Sequence, residues 1–273
     1  MKLGYQTNTW GGVFGHPAGV TSVKDSYYIA NGSTEEAIKD ISEAGYDGIE
    51  LFDGNLMEYK DKKTEFLKLM NEYSLTLVGV YTGGNFIFPD ILEEELIKIE
   101  SVAALASELG AEHLVIGGGA VRANGILESD YTALGNALNK VVEIAIKYNL
   151  VASYHPHLGT NVQAPEQLDK LMPLTKINLC PDTAHIEAGG GDPVAVIRKY
   201  VDRIKYVHFK DYANGDFLPL GEGQQKFNEM IEVLEEANYD GWITVELDSY
   251  PDPKQGAKIS RNYLNQLDKV NQA

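Results

Sequence analysis

Short β-branched and apolar runs alternate with longer amphipathic runs along the chain, and the alternation occurs eight times. The short runs predict strands at residues 3–9, 48–52, 75–81, 113–117, 150–155, 177–182, 204–210 and 242–247. A helical pattern follows each one. Over residues 91–109, Leu92, Leu96, Ile99, Ala103 and Ala106 recur at spacings of three and four, leaving Glu93, Glu94, Glu95 and Lys98 outside the stripe. Over residues 131–148 the stripe runs through Leu134, Leu138, Val141, Val142 and Ala145, with Ser129 and Asp130 as expected N-caps. Ser33 followed by Glu36 predicts a capping box, and Gly45 and Gly110 stand where helices should stop.

Strands separated by helices of this length cannot form hairpins, so crossovers must join them into a parallel sheet. Eight such units predict an α/β fold, a (β/α)8 TIM barrel. An open doubly wound sheet would place a nucleotide on a Gly-x-Gly-x-x-Gly turn. Gly11-Gly12, Gly83-Gly84 and Gly117-Gly118-Gly119 follow strands without that spacing. The expected organisation is one domain over 1–273, with an insertion at about 11–32 over the first βα loop. Its 273 residues suffice for eight βα units and leave little for a second domain.

Charge narrows the partners. With 23 Lys and Arg against 40 Asp and Glu, the net charge of −17 opposes phosphate backbones and anionic lipid, so neither nucleic acid nor membrane is expected. The single cysteine, Cys180, allows no internal disulfide and reads as a small buried hydrophobe. Residues 1–10 lack a basic segment leading into an apolar one, and no apolar run approaches the ~18 to 20 residues of a membrane span. A cytoplasmic location is the expectation. Nothing in the pattern sets the oligomeric state, and a homo-oligomer stays open.

In a barrel the strand C-termini carry the chemistry. His155 and His157 fall at and just after the end of the fifth run, His185 follows the sixth, and His208 lies in the seventh. Alternation places Tyr206, His208 and Lys210 on one face of the seventh run, and Thr244, Glu246 and Asp248 on one face of the eighth. Asn178, Cys180 and Asp182 share a face of the sixth. The candidate metal ligands are therefore His155, Asp182, His208 and Glu246. This mixed imidazole and carboxylate set suits a borderline divalent ion, Mn2+ first, with Co2+, Fe2+ or Zn2+ as the others, better than Mg2+ or Ca2+. The alternative is a metal-free polar network. Against it, two inward carboxylates with no Lys or Arg in the ligand set are costly unless a cation neutralises them.

The remaining polar residues have less settled roles. His157 and His185 exceed a four-ligand set and become candidates for substrate contact or proton transfer. Lys210 is a candidate for holding a substrate oxygen, or for a plain salt bridge. Glu50 interrupts the apolar run Gly48-Ile49-Glu50-Leu51-Phe52 and is a candidate for binding a hydroxyl or orienting other polar groups. Asn8 and Trp10 are candidates to line a sugar pocket, Trp10 equally for the core. His113 and His16 receive no role.

At these residues the chain resembles the xylose isomerase-like barrels, a superfamily of sugar isomerases, epimerases and dehydratases. The resemblance spans the chain and rests on Asp182-Thr183-Ala184-His185, Val207-His208-Phe209-Lys210-Asp211, Pro219-Leu220-Gly221-Glu222-Gly223 and Val245-Glu246-Leu247. It implies that Asp182, His208 and Glu246 bind metal. Ketose epimerases of the superfamily end the fifth strand with a metal-binding glutamate, where this chain has His155. Tyr154-His155-Pro156-His157-Leu158-Gly159-Thr160-Asn161-Val162-Gln163, together with Gly190-Gly191-Asp192-Pro193, is most similar to the inosose dehydratase branch.

The resemblance implies a metal-dependent lyase that dehydrates a keto-cyclitol or keto-sugar, with 2-keto-myo-inositol the first substrate to try, through an enediolate. His157 and His185 would share the base and acid roles in an order left open, with Glu246 an alternative base and Lys210 an electrostatic aid. The second expectation is a sugar isomerase or ketose 3-epimerase using the same enediolate. A DNA-repair endonuclease of the endonuclease IV type needs more zinc ligands and meets opposition from the charge. A non-catalytic carbohydrate-binding barrel would carry no metal.

Overall fold

The computed structural model describes residues 1–11 and 27–267. Most of the expected insertion, including His16, lies outside them.

The apolar runs form parallel strands: β1 (Lys2–Gln6), β2 (Gly48–Phe52), β3 (Thr76–Gly84), β4 (His113–Gly118), β5 (Val151–Tyr154), β6 (Asn178–Leu179) and β7 (Val207–Phe209). A short antiparallel hairpin follows, β8 (Asp211–Ala213) with β9 (Asp216–Leu218), before β10 (Trp242–Val245) completes the sheet. The parallel strands pair in the order β6-β5-β4-β3-β2-β1-β10-β7. Bridges from Leu179 to Ile204 and from Asp182 to His208 join the two ends, so the sheet closes into the expected barrel.

Helices pack around it: α1 (Thr34–Ala44), α2 (Asp53–Met57), α3 (Lys63–Glu72), α4 (Pro89–Glu108), α5 (Glu128–Lys147), α6 (Pro165–Leu171), α7 (Thr183–Ala188), α8 (Pro193–Tyr200), α9 (Phe227–Glu236) and α10 (Pro253–Gln266). Ser33 caps α1 by accepting the Glu36 N–H at 3.1 Å, and Gly45 ends it at φ +90°, a conformation glycine adopts without strain. The start of α5 differs from expectation. Its first residue is Glu128, so Ser129 and Asp130 lie inside the first turn, where Asp130 reaches back to accept the Leu127 N–H at 3.0 Å. Among the described residues, no helix is long and apolar enough to cross a membrane.

Alternation along the strands divides the apolar side chains into two layers. Leu114 and Ile116 of β4 face the helices with Ile99, Leu134 and Leu138, whereas Val115 turns inward with Val78, Cys180, Tyr206 and Trp242. This inner plug fills the lower barrel. Burying each large apolar side chain contributes about 1.5–3 kcal/mol, which offsets the cost of the polar groups gathered above the plug.

Several expected strands stop early. β6 covers only Asn178–Leu179 because Pro181 has no N–H for the ladder; its carbonyl still accepts the His208 N–H at 3.0 Å. His155 donates its N–H to Ile116 at 2.8 Å, and Glu246 donates to Phe209 at 3.0 Å. Each candidate ligand thus sits at its strand's end, held by backbone bonds in strand register.

Candidate active site and metal centre

His155, Asp182, His208 and Glu246 converge at the C-terminal mouth, each offering one ligand atom within 4.8 Å of the others. All are buried, Asp182 and His208 completely. His155 Nε2 lies 3.5 Å from Asp182 Oδ2 and 3.7 Å from Glu246 Oε2, while His208 Nδ1 is 2.6 Å from Glu246 Oε2. Among the described residues, neither ring nitrogen of His155 nor Asp182 Oδ2 has a hydrogen-bond partner. Stranded polar atoms of this kind cost about 1–3 kcal/mol each. The donor set and its unpartnered atoms fit a metal ion, and this group could hold one.

The folded chain alters one step of the charge argument. A cationic side chain does reach this set: Lys210 Nζ, fully buried, donates to Glu246 Oε1 at 3.1 Å and to Asp248 Oδ1 at 2.5 Å. It satisfies those two carboxylates. It does not reach Asp182 Oδ2, which faces His155 Nε2 at 3.5 Å, so the case for a cation now rests on Asp182 and His155.

Lys210 Nζ also donates to His185 Nε2 at 3.3 Å. The rings of His157 and His185 lie 3.7 Å apart between centroids. His157 stands partly exposed at the rim, with Nδ1 2.7 Å from the Leu158 carbonyl oxygen. Asp182 has a second task, because its Oδ1 accepts the His185 N–H at 2.8 Å as the N-cap of α7. One short helix therefore carries a candidate ligand at its start and a candidate proton donor in its first turn.

Electrostatics separate these groups. Burial, followed by the charges of His157 and Lys210, holds the His185 imidazole well below its ordinary pKa. His157 is lowered too, by loss of hydration and by the charges of His155 and Lys210. Burial opposes charge on Lys210, but Asp248 and Glu246 outweigh it and hold the ammonium protonated. Burial also opposes charge on Glu246, which Lys210, His155 and His208 nevertheless keep well below the usual carboxylate range.

The other expected residues separate. Asn8 is at the mouth: its Nδ2 donates to Glu246 Oε1 at 3.2 Å, and its Oδ1 has no hydrogen-bond partner among the described residues. Trp10 is turned into the packing of α1, with its indole N–H 3.3 Å from Asp40 Oδ2 and its ring edge-on to Tyr5. Asn8 and Trp10 part because β1 ends at Gln6 and a 3-10 turn spans Thr7–Thr9. Glu50 lies beneath the ligands, with Oε2 3.0 Å from His208 Nε2.

Sequence reasoning missed the β8–β9 hairpin. It carries Phe217, whose ring covers Lys210 Nζ at 4.4 Å and meets the His185 ring at 5.0 Å. The signal was Asn214-Gly215, both at positive φ, the dipeptide favoured in two-residue hairpin turns. Asp211 anchors the hairpin by accepting backbone N–H groups from Tyr212, Gly221, Gly223 and Gln225.

A family model described as xylose isomerase-like TIM barrel matches residues 38–267. The chain belongs to this family. Similar to this xylose isomerase-like barrel is the inosose dehydratase of Clostridium tetani (strain Massachusetts / E88), 34% identical over 164 residues, a match covering 51% of this chain and 55% of that protein. The chain thus spans about half of that relative. The inosose dehydratase of Geobacillus kaustophilus (strain HTA426) is 29% identical over 271 residues, covering 85% of this chain and 87% of that one. Among solved structures, the IOLI protein with a bound zinc atom has a TM-score of 0.78 at 14% identity, covering 100% of both chains. That likeness speaks for the barrel.

Proposed function

We propose that this xylose isomerase-like barrel is a metal-dependent lyase that removes water from a keto-cyclitol or keto-sugar, with 2-keto-myo-inositol as the first candidate substrate. The contact between His157 and His185, 3.7 Å between ring centroids, carries this reading. A base and an acid on the same side of a substrate suit abstraction of an α-proton and departure of a neighbouring hydroxyl. Epimerisation calls for groups on opposite faces. The inosose dehydratase relatives support the same substrate class.

Hydrogen-bond partners support a division of the two roles. The Leu158 carbonyl can only accept, so His157 Nδ1 carries the hydrogen and Nε2 keeps its lone pair. His157 is the base. Lys210 can only donate, so His185 Nε2 accepts and Nδ1, without a partner among the described residues, carries the hydrogen. His185 is the acid. The α-proton passes to His157 Nε2, and its electron pair forms the enediolate. Collapse of the enediolate expels the β-hydroxyl, which leaves as water with the His185 Nδ1 proton. Lys210 gives His185 a proton at Nε2; His157 then passes the proton it took to His185 Nδ1, and His185 Nε2 returns the other to Lys210, which restores all three groups.

His155, Asp182, His208 and Glu246 would hold the divalent ion, Mn2+ first, whose chemistry is Lewis-acid polarisation of the ketone. Asn8 Oδ1 is placed to accept a substrate hydroxyl. We place the protein in the cytoplasm, which the free, buried thiol of Cys180 supports.

Nuclear magnetic resonance of the reaction in D2O tests the reading. Dehydration yields a product lacking the elements of water. An isomerase or epimerase returns a product of substrate composition with deuterium at the exchanged carbon, and that outcome replaces this reading with the second one.

A further inference from the structure

Glu50 is a charged residue inside an entirely buried strand, and it is itself completely enclosed. The pairing of β2 with β3 shows how the fold makes room for it. Ile49 pairs with Leu77, but Glu50 pairs with Gly79, a slip of register at this one step. A side chain at position 79 would bring a Cβ to 3.3 Å from the His113 Cβ and 3.5 Å from Glu50 Oε2. The tight contact is the one with His113; the carboxylate itself lies at ordinary packing distance.

Glu50 Oε2 meets His208 Nε2 at 3.0 Å, while Glu50 Oε1 has no hydrogen-bond partner among the described residues. The opposite nitrogen, Nδ1, lies 2.6 Å from Glu246 Oε2 and so faces the ligand group. A carboxylate can only accept, so Nε2 must carry a hydrogen toward it. The same rule gives Nδ1 a hydrogen toward Glu246 Oε2; a metal ion among the ligands would take the place of that hydrogen, while the one that Glu50 holds on Nε2 stays.

We infer that Glu50 is a positioning residue: it locks the His208 ring so that Nδ1, not Nε2, is the metal-binding atom. The inference rests on the metal-site reading and deepens it. Carboxylates behind metal-binding imidazoles orient the ring and raise its basicity, and losing one typically costs about 10- to 100-fold in metal affinity. A carboxylate that instead bound substrate hydroxyls would leave affinity for the bare metal unchanged. The two roles therefore separate without any turnover measurement.

The test is titration of the dialysed protein with Co2+, following both the dissociation constant and the visible absorption spectrum. Thermal melts of the metal-free proteins check folding. Glu50→Ala should weaken Co2+ binding by about 10- to 100-fold and change the spectrum. Glu50→Gln, which keeps an acceptor but not the charge, should restore part of the affinity and most of the spectrum; if Glu50→Ala does not fold, this variant decides alone. Folded variants that bind Co2+ with the parent's constant and spectrum overturn the inference. A parent protein that takes up no Co2+ overturns it together with the metal-site reading, so the two failures are distinguishable.

Discussion

The imidazoles of His157 and His185 rest against each other with centroids 3.7 Å apart and planes tilted by 42°. They come from different loops, one after β5 and one on α7, so the contact exists only in the folded barrel. Both pKa values are lowered, chiefly by loss of hydration, and both rings are neutral near pH 7. A neutral imidazole can accept at one nitrogen and donate at the other.

The opposed tautomers predict different failures. His157→Gln should abolish both α-proton exchange into D2O and water loss. His185→Gln should still exchange the proton while dehydration falls by about 10²- to 10⁴-fold, the usual contribution of a positioned acid. Equal loss of exchange in both variants would remove the division of roles.

Asp182 serves a metal and a helix at once, and two substitutions separate these tasks. Asp182→Ala should lose metal, activity and about 0.5–2 kcal/mol of stability through the missing cap. Asp182→Asn keeps a good N-cap, so its melting temperature should stay near the parent's while metal uptake is lost. Metal analysis beside a thermal melt checks the pair.

Phe217 covers the Lys210 ammonium at 4.4 Å. Such a cation–π contact contributes about 0.5–2 kcal/mol. If it orders Lys210 for proton return, Phe217→Ala should lower kcat/KM by roughly 2- to 30-fold and leave metal affinity intact. An unchanged kcat/KM would assign the hairpin a purely structural part.

His113, at the opposite end of the barrel, supplies a pH prediction apart from the metal group. Its ring stacks on Tyr206 at 4.7 Å, and burial lowers its pKa to about 4. The unfolded chain, with an ordinary value of about 6.5, binds the proton more readily. The stability from neutral His113 is therefore complete above about pH 6.5 and is lost as pH falls toward about 4. Melts across this range should show a smaller acid-side decline in His113→Leu than in the parent.

The barrel was legible because βα alternation is a long-range pattern that local exceptions do not erase. The ligand group was legible because alternate residues of a barrel strand share a face, which aligned His208 with Lys210 and Glu246 with Asp248. The first strand, expected over 3–9, ends at Gln6, and the turn at Thr7–Thr9 sends Trp10 toward Asp40. The hairpin after β7 was hidden by the expectation that a helix follows each strand, although Asn214-Gly215 marked it. The link from Glu50 to His208 was beyond reach, since it spans 158 positions and depends on a register slip opposite Gly79.

The most direct measurement is an ultraviolet assay of 2-keto-myo-inositol with protein stripped by chelation and then restored with Mn2+. The account predicts no absorbance change with the stripped protein. On restoration an absorbing enone or dione should appear, its mass below the substrate's by one water. Restored protein that takes up the metal yet returns only isomers of the substrate would contradict the dehydratase reading.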